Sequence, residues 1–373
     1  MKMRGIIIIL IIVLLGLGSY SYLRTKYNLP VPSLRSKISI LPTPTPGQEI
    51  PGVSVVAKNL EIPWAIAFLP DGRMLVTERP GRVRIISKDG TLQTKPLATI
   101  PGVREIGEGG LLGIAVHPSF ERNKFVYLYY TYGENGGLIL NRIVRFNLEG
   151  NSLANEKTIL EGIPAASNHD GGRIKFGPDG YLYVTTGDAQ EPSRSQDKDS
   201  PAGKILRLTD EGAAAPGNPF GSLVYSYGHR NPQGLAWDEK GNLWETEHGS
   251  SAYDEVNKIK PGNNYGWPTV RGDATGEGFT PPVLHSGSDT WAPSGAVYLD
   301  GSLYFAGLRG QALYQLTVSS NSLKTHLKGQ YGRLREVVLG PDGLLYLSTS
   351  NRDGRGDPTG EDDRILRINP AKL

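Results

Sequence analysis

A turn-and-strand unit repeats along most of the chain and restricts the possible fold more than any other feature. In five copies, an Asp-Gly turn or its equivalent leads directly into an apolar strand: Asp71-Gly72, Asp179-Gly180, Lys240-Gly241, Asp300-Gly301 and Asp342-Gly343. A sixth copy lacks the turn but has strand-like runs at residues 124–129 and 142–146. The six units are spaced roughly 40 to 60 residues apart, about the length of a four-stranded propeller blade. The sequence therefore predicts an all-β, six-bladed β-propeller, with a pair of β-sandwiches as the alternative architecture.

The composition agrees with many short strands and excludes several kinds of chemistry. The chain has 48 glycines and 27 prolines, the residues that tight turns require. It has no cysteine, which rules out disulfides, thiolate metal sites and cysteine nucleophiles. The net charge is only +3 and no basic block stands out, so nucleic acid is not an expected partner. The sequence also lacks a P-loop, a nucleotide-binding G-x-G-x-x-G, an H-E-x-x-H and a G-x-S-x-G.

The N-terminus predicts export. Lys2 and Arg4 precede a stretch without charges that ends at Arg24, and residues 5–23 as a helix would span about 28 Å. Residues 1–24 are therefore expected to be a signal peptide or a membrane anchor. Residues 25–51 form a Pro-rich linker, and residues 52–373 the propeller. We expect the domain on the periplasmic or extracellular face, with membrane contact only through the N-terminal segment.

Polar, glycine-rich loops between the repeats are the expected place for function, because propeller loops meet at a shared funnel. Loop 167–173 carries His169, an imidazole suited to general-base work near neutral pH. Loop 228–235 carries Arg230 followed by Asn231, which suits an anionic or carbonyl-rich ligand. Each loop alone is equally consistent with an ordinary surface connection.

Two further segments suggest a metal ion and an anionic ligand. Loop 247–255 offers carboxylates and backbone carbonyls, the oxygen ligands that calcium prefers. Arg333 and Arg335 are two residues apart, so in an extended segment both guanidinium groups point to the same side. Two arginines on one face favour a polyanionic ligand over a simple solvent-facing strand only when other features agree.

Taken in this order, the loops resemble those of the soluble, PQQ-dependent glucose and aldose sugar dehydrogenases, the glucose/sorbosone dehydrogenase family. The resemblance covers roughly residues 52–370. It is carried by Pro63-Trp64-Ala65, Thr77-Glu78-Arg79, residues 109–113, His117-Pro118, Asn168-His169, residues 203–207, 228–234, Glu247-His248-Gly249 and residues 264–268. The family is a six-bladed propeller, in agreement with the repeat count.

The resemblance implies a catalytic role for three of these residues. His169 would take the proton from the anomeric hydroxyl of an aldose while a hydride passes to PQQ, and a lactone would form. Asn168 occupies the place of a family acid that supports this histidine. Arg230, together with Asn231, would bind the quinone oxygens. Because no haem-attachment motif is present, electrons would leave to an external acceptor, a quinone or a redox protein.

The resemblance also implies cofactor and calcium ligands. PQQ is a tricarboxylate quinone, and its expected partners are Glu108, His248, Arg309, Arg333 and Arg335, beside Arg230 and Asn231. The backbone oxygens of Gly249 and Ser250 would bind a calcium ion that touches PQQ. Glu255 and Tyr265 match a second, structural calcium site.

Three departures from the family pattern leave two other functions open. Glu108 stands where the family usually has glutamine, Ser250 replaces a proline, and the loop at 348–353 lacks an expected acid that Asp353 would have to replace. One alternative is a non-catalytic, ligand-binding propeller, which Glu108 would favour. The other is a calcium-dependent lactone hydrolase with Asn168, Asp188 and Asn231 as metal ligands, which would leave the paired arginines without a role.

Overall fold

Residues 51–373, which the computed structural model describes, form six four-stranded antiparallel sheets. The first three blades contain β2 (Pro63–Phe68), β3 (Met74–Glu78), β4 (Arg82–Ile86) and β5 (Ala98–Thr99); β6 (Leu111–Val116), β7 (Phe125–Gly133), β8 (Ile139–Glu149) and β9 (Ser152–Pro164); and β10 (Ile174–Phe176), β11 (Leu182–Thr186), β12 (Lys204–Leu208) and β13 (Val224–Tyr227). The fourth and fifth contain β14 (Pro232–Trp237), β15 (Leu243–Glu247), β16 (Glu255–Ile259) and β17 (Leu284–His285); and β18 (Pro293–Leu299), β19 (Ser302–Gly307), β20 (Ala312–Thr317) and β21 (Ser322–His326). The sixth contains β22 (Leu334–Leu339), β23 (Leu345–Thr349), β24 (Ile365–Ile368) and β1 (Val53–Ala57).

Helical structure in these residues is limited to one short helix and three 3₁₀ turns. They are α1 (Phe120–Asn123), Asn135–Gly137, Pro192–Ser195 and Pro370–Lys372. The prediction of an all-β, six-bladed propeller is thus confirmed.

The Asp-Gly turns join the innermost strand of a blade to its second strand. Between β2 and β3, the amide of Gly72 donates to Leu69 O, and Asp71 Oδ1 accepts from the amide of Arg73. Gly72 has a φ of 89°, a left-handed conformation that glycine adopts without steric cost. The second blade, which lacks the Asp-Gly pair, makes the same connection with α1.

The ring is closed by the two ends of the described chain. β1 pairs with β24, and Val53 lies opposite Ile368 in an antiparallel register. The same junction is packed by apolar side chains from the first and sixth blades, where the rings of Phe68 and Tyr346 lie 5.0 Å apart. Closure leaves no open seam between the first and last blades.

Charged side chains fill the axis of the ring. Arg173 precedes β10 in the third blade and forms a buried ion pair with Glu336 on β22, in the opposite blade. Lys175 donates to the backbone oxygens of Leu235 and Ala296 in the fourth and fifth blades. The axis is therefore a packed plug at this level, not an open channel.

The predictions for residues 1–24 and for nearly all of the linker at 25–51 fall outside the described residues. Within 51–373, no helix is long and apolar enough to cross a membrane.

Candidate active site

An open cavity of about 270 Å³ lies where the loops of several blades meet. Eight residues from the sequence prediction line it: Glu108, Asn168, His169, Arg230, His248, Gly249, Ser250 and Arg309. They come from five inter-strand connections, which are β5–β6, β9–β10, β13–β14, β15–β16 and β19–β20. The connection between β23 and β24 adds Arg355, which the sequence analysis did not single out.

His169 is held by a buried carboxylate. Its Nδ1 lies 2.7 Å from Oδ1 of Asp188, and Asp188 is fully buried. The second oxygen of Asp188 accepts from the indole N–H of Trp267 at 2.8 Å. An Nδ1–H donated to Asp188 leaves Nε2 as a proton acceptor on the cavity side. Nε2 makes no hydrogen bond with any other described residue.

The backbone around this histidine has little freedom. His169 has a φ of 67°, which is uncommon for a residue other than glycine. Its amide donates to Oε2 of Glu108 at 3.2 Å, and its carbonyl oxygen lies against Gly187. A Cβ on Gly187 would lie 1.8 Å from that oxygen, so only glycine permits the two turns to approach.

The Asn168 side chain makes no hydrogen bond with the imidazole of His169. Its Oδ1 accepts from Arg355 at 2.8 Å, and its Nδ2 donates to Ser167. The supporting position that the sequence analysis gave to Asn168 is held by Asp188. The two loops that bring Asp188 and His169 together follow β11 and β9, so the contact was not visible from neighbouring residues.

Glu108 is ionised and paired. Burial alone would raise the pKa of its carboxyl group, but His248, Arg355 and the amide of His169 together lower it to about 2. Arg355 Nη1 donates to Glu108 Oε1 at 2.6 Å. The departure from the family glutamine therefore brings a negative charge to the cavity, with a cation attached to it.

Asn231 lies behind the cavity wall, fully buried. Its Oδ1 accepts from the amide of Gly171 at 3.1 Å, and its Nδ2 lies 3.5 Å from Glu108 Oε2. Asn231 thus links the glycines after His169 to Glu108.

Arg333 and Arg335 are buried and do not line the cavity. Arg333 donates through Nε and Nη2 to Asp353 at 3.0 and 2.8 Å, which places the acid that the sequence analysis left unassigned. Arg335 donates to Gln233 at 2.7 Å and has no carboxylate partner among the described residues. Burial lowers the pKa of Arg335 to about 9, and its Nε has no hydrogen-bond partner.

Arg230 closes the wall near Gly249 and Ser250. Its Nη1 donates to Gly249 O at 2.7 Å and to His248 O at 3.3 Å. Ser250 Oγ accepts from Arg271. The Gly249 oxygen, predicted as a calcium ligand, already accepts a hydrogen bond from the guanidinium group of Arg230.

Three buried glutamates converge beside this wall. Glu245 and Glu247 project from the same face of β15, and the register places Glu247 opposite Glu255 and Glu245 opposite Asn257. Asn257 Nδ2 lies 3.1, 3.2 and 3.4 Å from oxygens of Glu245, Glu247 and Glu255. None of the three pairs with a lysine or arginine side chain within residues 51–373.

This cluster fits a cation. Burial and the neighbouring Glu247 raise the pKa of Glu255 to about 8, and the same two causes raise the pKa of Glu245. One oxygen of Glu245 is buried without a partner. Ligand atoms of His229, Glu245 and Glu247 lie within 4.8 Å of one another, and the ring of Tyr265 stacks on His229 at 4.9 Å. Of this group, the sequence analysis assigned only Glu255 and Tyr265 to a structural calcium site.

Comparison with known proteins shows to which family the chain is similar. A family model described as glucose/sorbosone dehydrogenase matches residues 60–366. An aldose sugar dehydrogenase from Escherichia coli is 32% identical over 354 residues, which covers 85% of this chain and 92% of that protein. Quinoprotein glucose dehydrogenase B from Acinetobacter calcoaceticus is 32% identical over 259 residues, 60% of this chain and 54% of that protein.

A solved structure extends the likeness to three dimensions. The PQQ-bound form of aldose sugar dehydrogenase from Streptomyces coelicolor is 46% identical, with a TM-score of 0.79, and the match covers 84% of this chain and 97% of that one. The resemblance read from the loops is confirmed: the chain belongs to the glucose/sorbosone dehydrogenase family of oxidoreductases.

Proposed function

We propose that the protein oxidises an aldose at its anomeric carbon to the lactone, with PQQ as the hydride acceptor and calcium as a bound ion. The observation that carries the proposal is the pair formed by His169 and Asp188 at the cavity. It gives one imidazole nitrogen a fixed position and leaves the other free to accept a proton. The PQQ-bound relative from Streptomyces coelicolor supports the choice of cofactor.

The residues of this chain have distinct tasks in that reaction. Nε2 of His169 removes the proton of the anomeric hydroxyl, and Asp188 stabilises the imidazolium that results. The fixed backbone at His169 keeps the ring in place before the sugar arrives, which reduces the cost of orientation in the reaction. PQQ, when bound, would supply the quinone that accepts the hydride from the anomeric carbon.

The donors around the cavity fit a tricarboxylate quinone. Arg230 and His248 in the cavity, and the buried Arg335 outside its lining, each have a buried nitrogen atom without a hydrogen-bond partner. Arg309 is exposed in the cavity and makes no hydrogen bond or ion pair with the other described residues. Cationic and neutral donors in this number are what the carboxylates and carbonyl oxygens of PQQ need. Arg333, already paired with Asp353, would act on the cofactor only at long range.

A calcium ion fits the glutamate cluster better than it fits Gly249. Glu255 supplies an uncompensated carboxylate, and Glu245 and Glu247 lie beside it. A cation there would remove the repulsion among these groups and fix the loops that follow β15. We assign it a structural role.

The lactone hydrolase is not favoured. It needs free side-chain oxygens for a catalytic metal, whereas the side-chain oxygen of Asn168 accepts from Arg355, that of Asn231 accepts from Gly171, and both oxygens of Asp188 accept hydrogen bonds. Binding alone does not require the buried carboxylate of Asp188 that orients His169, so a non-catalytic binding protein is not favoured either. Export, through residues 1–24, and transfer of electrons to an external acceptor remain part of the proposal on sequence grounds alone.

Reconstitution tests the proposal. The purified protein is mixed with PQQ and calcium, and reduction of an artificial dye is followed with a panel of aldoses. We expect sugar-dependent turnover that requires PQQ, is lost in His169→Ala and persists in His326→Ala, since His326 lies on the outer strand of the fifth blade. PQQ binding without turnover on any aldose would instead support the binding protein.

A further inference from the structure

Arg355 lines the cavity and connects loops from different blades. It lies between β23 and β24, in the sixth blade, and about half of its side chain is exposed. One arm of its guanidinium group donates to Glu108, which precedes β6, and the other donates to Asn168, which precedes β10. The contact with Glu108 joins residues 247 positions apart in the chain.

Glu108 connects Arg355 to the loop that carries His169. Its Oε1 accepts from Arg355 at 2.6 Å, and its Oε2 accepts from the amide of His169 at 3.2 Å. Only 15% of the Glu108 side chain is exposed, so its charge is poorly screened by solvent. Without Arg355, an ionised carboxylate would face a cavity that has to accept an anionic cofactor.

No other ion pair neutralises Glu108 among the described residues. The charged and titratable groups that act on it from neighbouring loops and strands are His248, Arg230, Arg335 and Asp170. Of these, His248 has its pKa lowered to about 4 by burial, and the two arginines make no salt bridge with Glu108. Arg355 alone combines a charge with a direct hydrogen bond.

We propose that Arg355 is a positioning residue for cofactor binding: it neutralises Glu108, and the two together take the place of the neutral glutamine usual in the family. This inference rests on the proposed function, because it assumes PQQ as the anion. This role makes a specific prediction: loss of Arg355 weakens PQQ binding only while Glu108 is a carboxylate. A purely structural contact between the loops would not depend on the charge of Glu108.

A double-mutant cycle measures this coupling. The apo proteins Glu108→Gln, Arg355→Met and the double variant are titrated with PQQ, and the dissociation constant is read from the cofactor's absorbance. We expect Arg355→Met to weaken PQQ binding by about tenfold or more. This is the effect on binding if the unpaired charge of Glu108 costs as much free energy as a shift of about one pKa unit. Glu108→Gln should bind no more weakly than the wild type, and the double variant should return to within about threefold of it.

Two further variants separate charge from shape. Arg355→Lys keeps the cation, although a lysine cannot bridge two loops as the guanidinium group does. Because neutralisation of Glu108 needs only the charge, we expect near-normal PQQ affinity. Arg352→Met removes an arginine of the same loop that bonds Asp362 O outside the cavity, and it should leave PQQ affinity unchanged.

The pH dependence of PQQ affinity separates the two roles, because a purely structural contact would not make the affinity depend on the protonation of Glu108. In Arg355→Met, Glu108 loses its salt-bridge partner and the pKa of its carboxyl group rises, so PQQ affinity should recover as the pH falls and Glu108 takes up a proton. The double variant should show no such recovery. Equal affinity of Arg355→Met and the wild type, or a double variant as weak as Arg355→Met, overturns the inference. Failure of the wild type itself to bind PQQ refutes the proposed function instead.

Discussion

Asp188 lies 2.7 Å from His169 and receives a second hydrogen bond from Trp267, so the carboxylate that orients the base is itself fixed on both oxygens. Such a carboxylate selects the imidazole tautomer and stabilises the charge that the ring acquires in the reaction. The hydrogen bond between the two residues therefore determines which imidazole nitrogen meets the substrate.

Asp188→Asn should therefore lower kcat by about 100-fold or more, with little effect on KM or on PQQ affinity. An amide in this position no longer favours the tautomer with a free Nε2. Steady-state kinetics with the best aldose provide the test. Trp267→Phe, which removes the supporting N–H but keeps an aromatic ring at this position, should cause a smaller loss; an equal loss in both variants would point to collapse of the loop rather than to proton transfer.

Gly187→Ala should displace the loop of His169. Its Cβ would lie 1.8 Å from the carbonyl oxygen of His169, and the backbone has to move to relieve the contact. We expect a destabilisation of about 1–3 kcal/mol in thermal unfolding together with nearly complete loss of turnover. Gly360→Ala is the matched control, because an added Cβ there meets nothing within 4 Å. Full activity in Gly187→Ala would show that the position of the loop is not critical.

Asp170 should make the apo protein less stable as the pH rises. Burial raises the pKa of this carboxyl group to about 7 in the folded state, against 3.8 as the ordinary value. Between these pH values the folded state retains a proton that the unfolded state has lost. Stability then falls from about pH 4 to pH 7 and is constant above that range as far as this group is concerned.

The Asp170→Asn variant isolates this effect. Its melting temperature should fall less steeply over the same pH range than that of the wild type, because the amide does not titrate. Parallel curves for the two proteins would mean that Asp170 contributes nothing to the pH dependence.

Calcium should stabilise the protein, more at pH 8 than at pH 6. Cation binding needs ionised carboxylates, and the pKa of Glu255 is about 8, so protons compete with the metal at lower pH. Glu255→Gln should remove most of the rise in melting temperature on addition of calcium. Glu361→Gln, an exposed glutamate paired with Lys58, should retain it. A calcium response that survives in Glu255→Gln would place the ion elsewhere.

The fold could be predicted because its signals are local. Asp71 and Gly72 build their turn from contacts within three residues, and the same holds at Asp342-Gly343. His169 could be predicted because it stands in a motif. Asp188 and Arg355 could not be assigned, since their roles depend on loops that meet only in the closed ring.

The glutamate cluster illustrates a different limit. Glu245 sits within an apolar strand, where alternation alone suggests an outward-facing residue. All five residues of β15 are buried, because the third and fifth blades cover the two faces of this sheet, so alternation along the strand does not separate buried from exposed positions.

The pairing of β1 with β24 also determines when the protein can fold. The first strand of the domain finds its partner only in residues 365–368, the last strand of the domain to be synthesised. The native ring therefore forms only after β24 has been synthesised, and until then β1 lacks its partner strand. A chain that stops before residue 365 would lose the final strand and, with it, the place of the first.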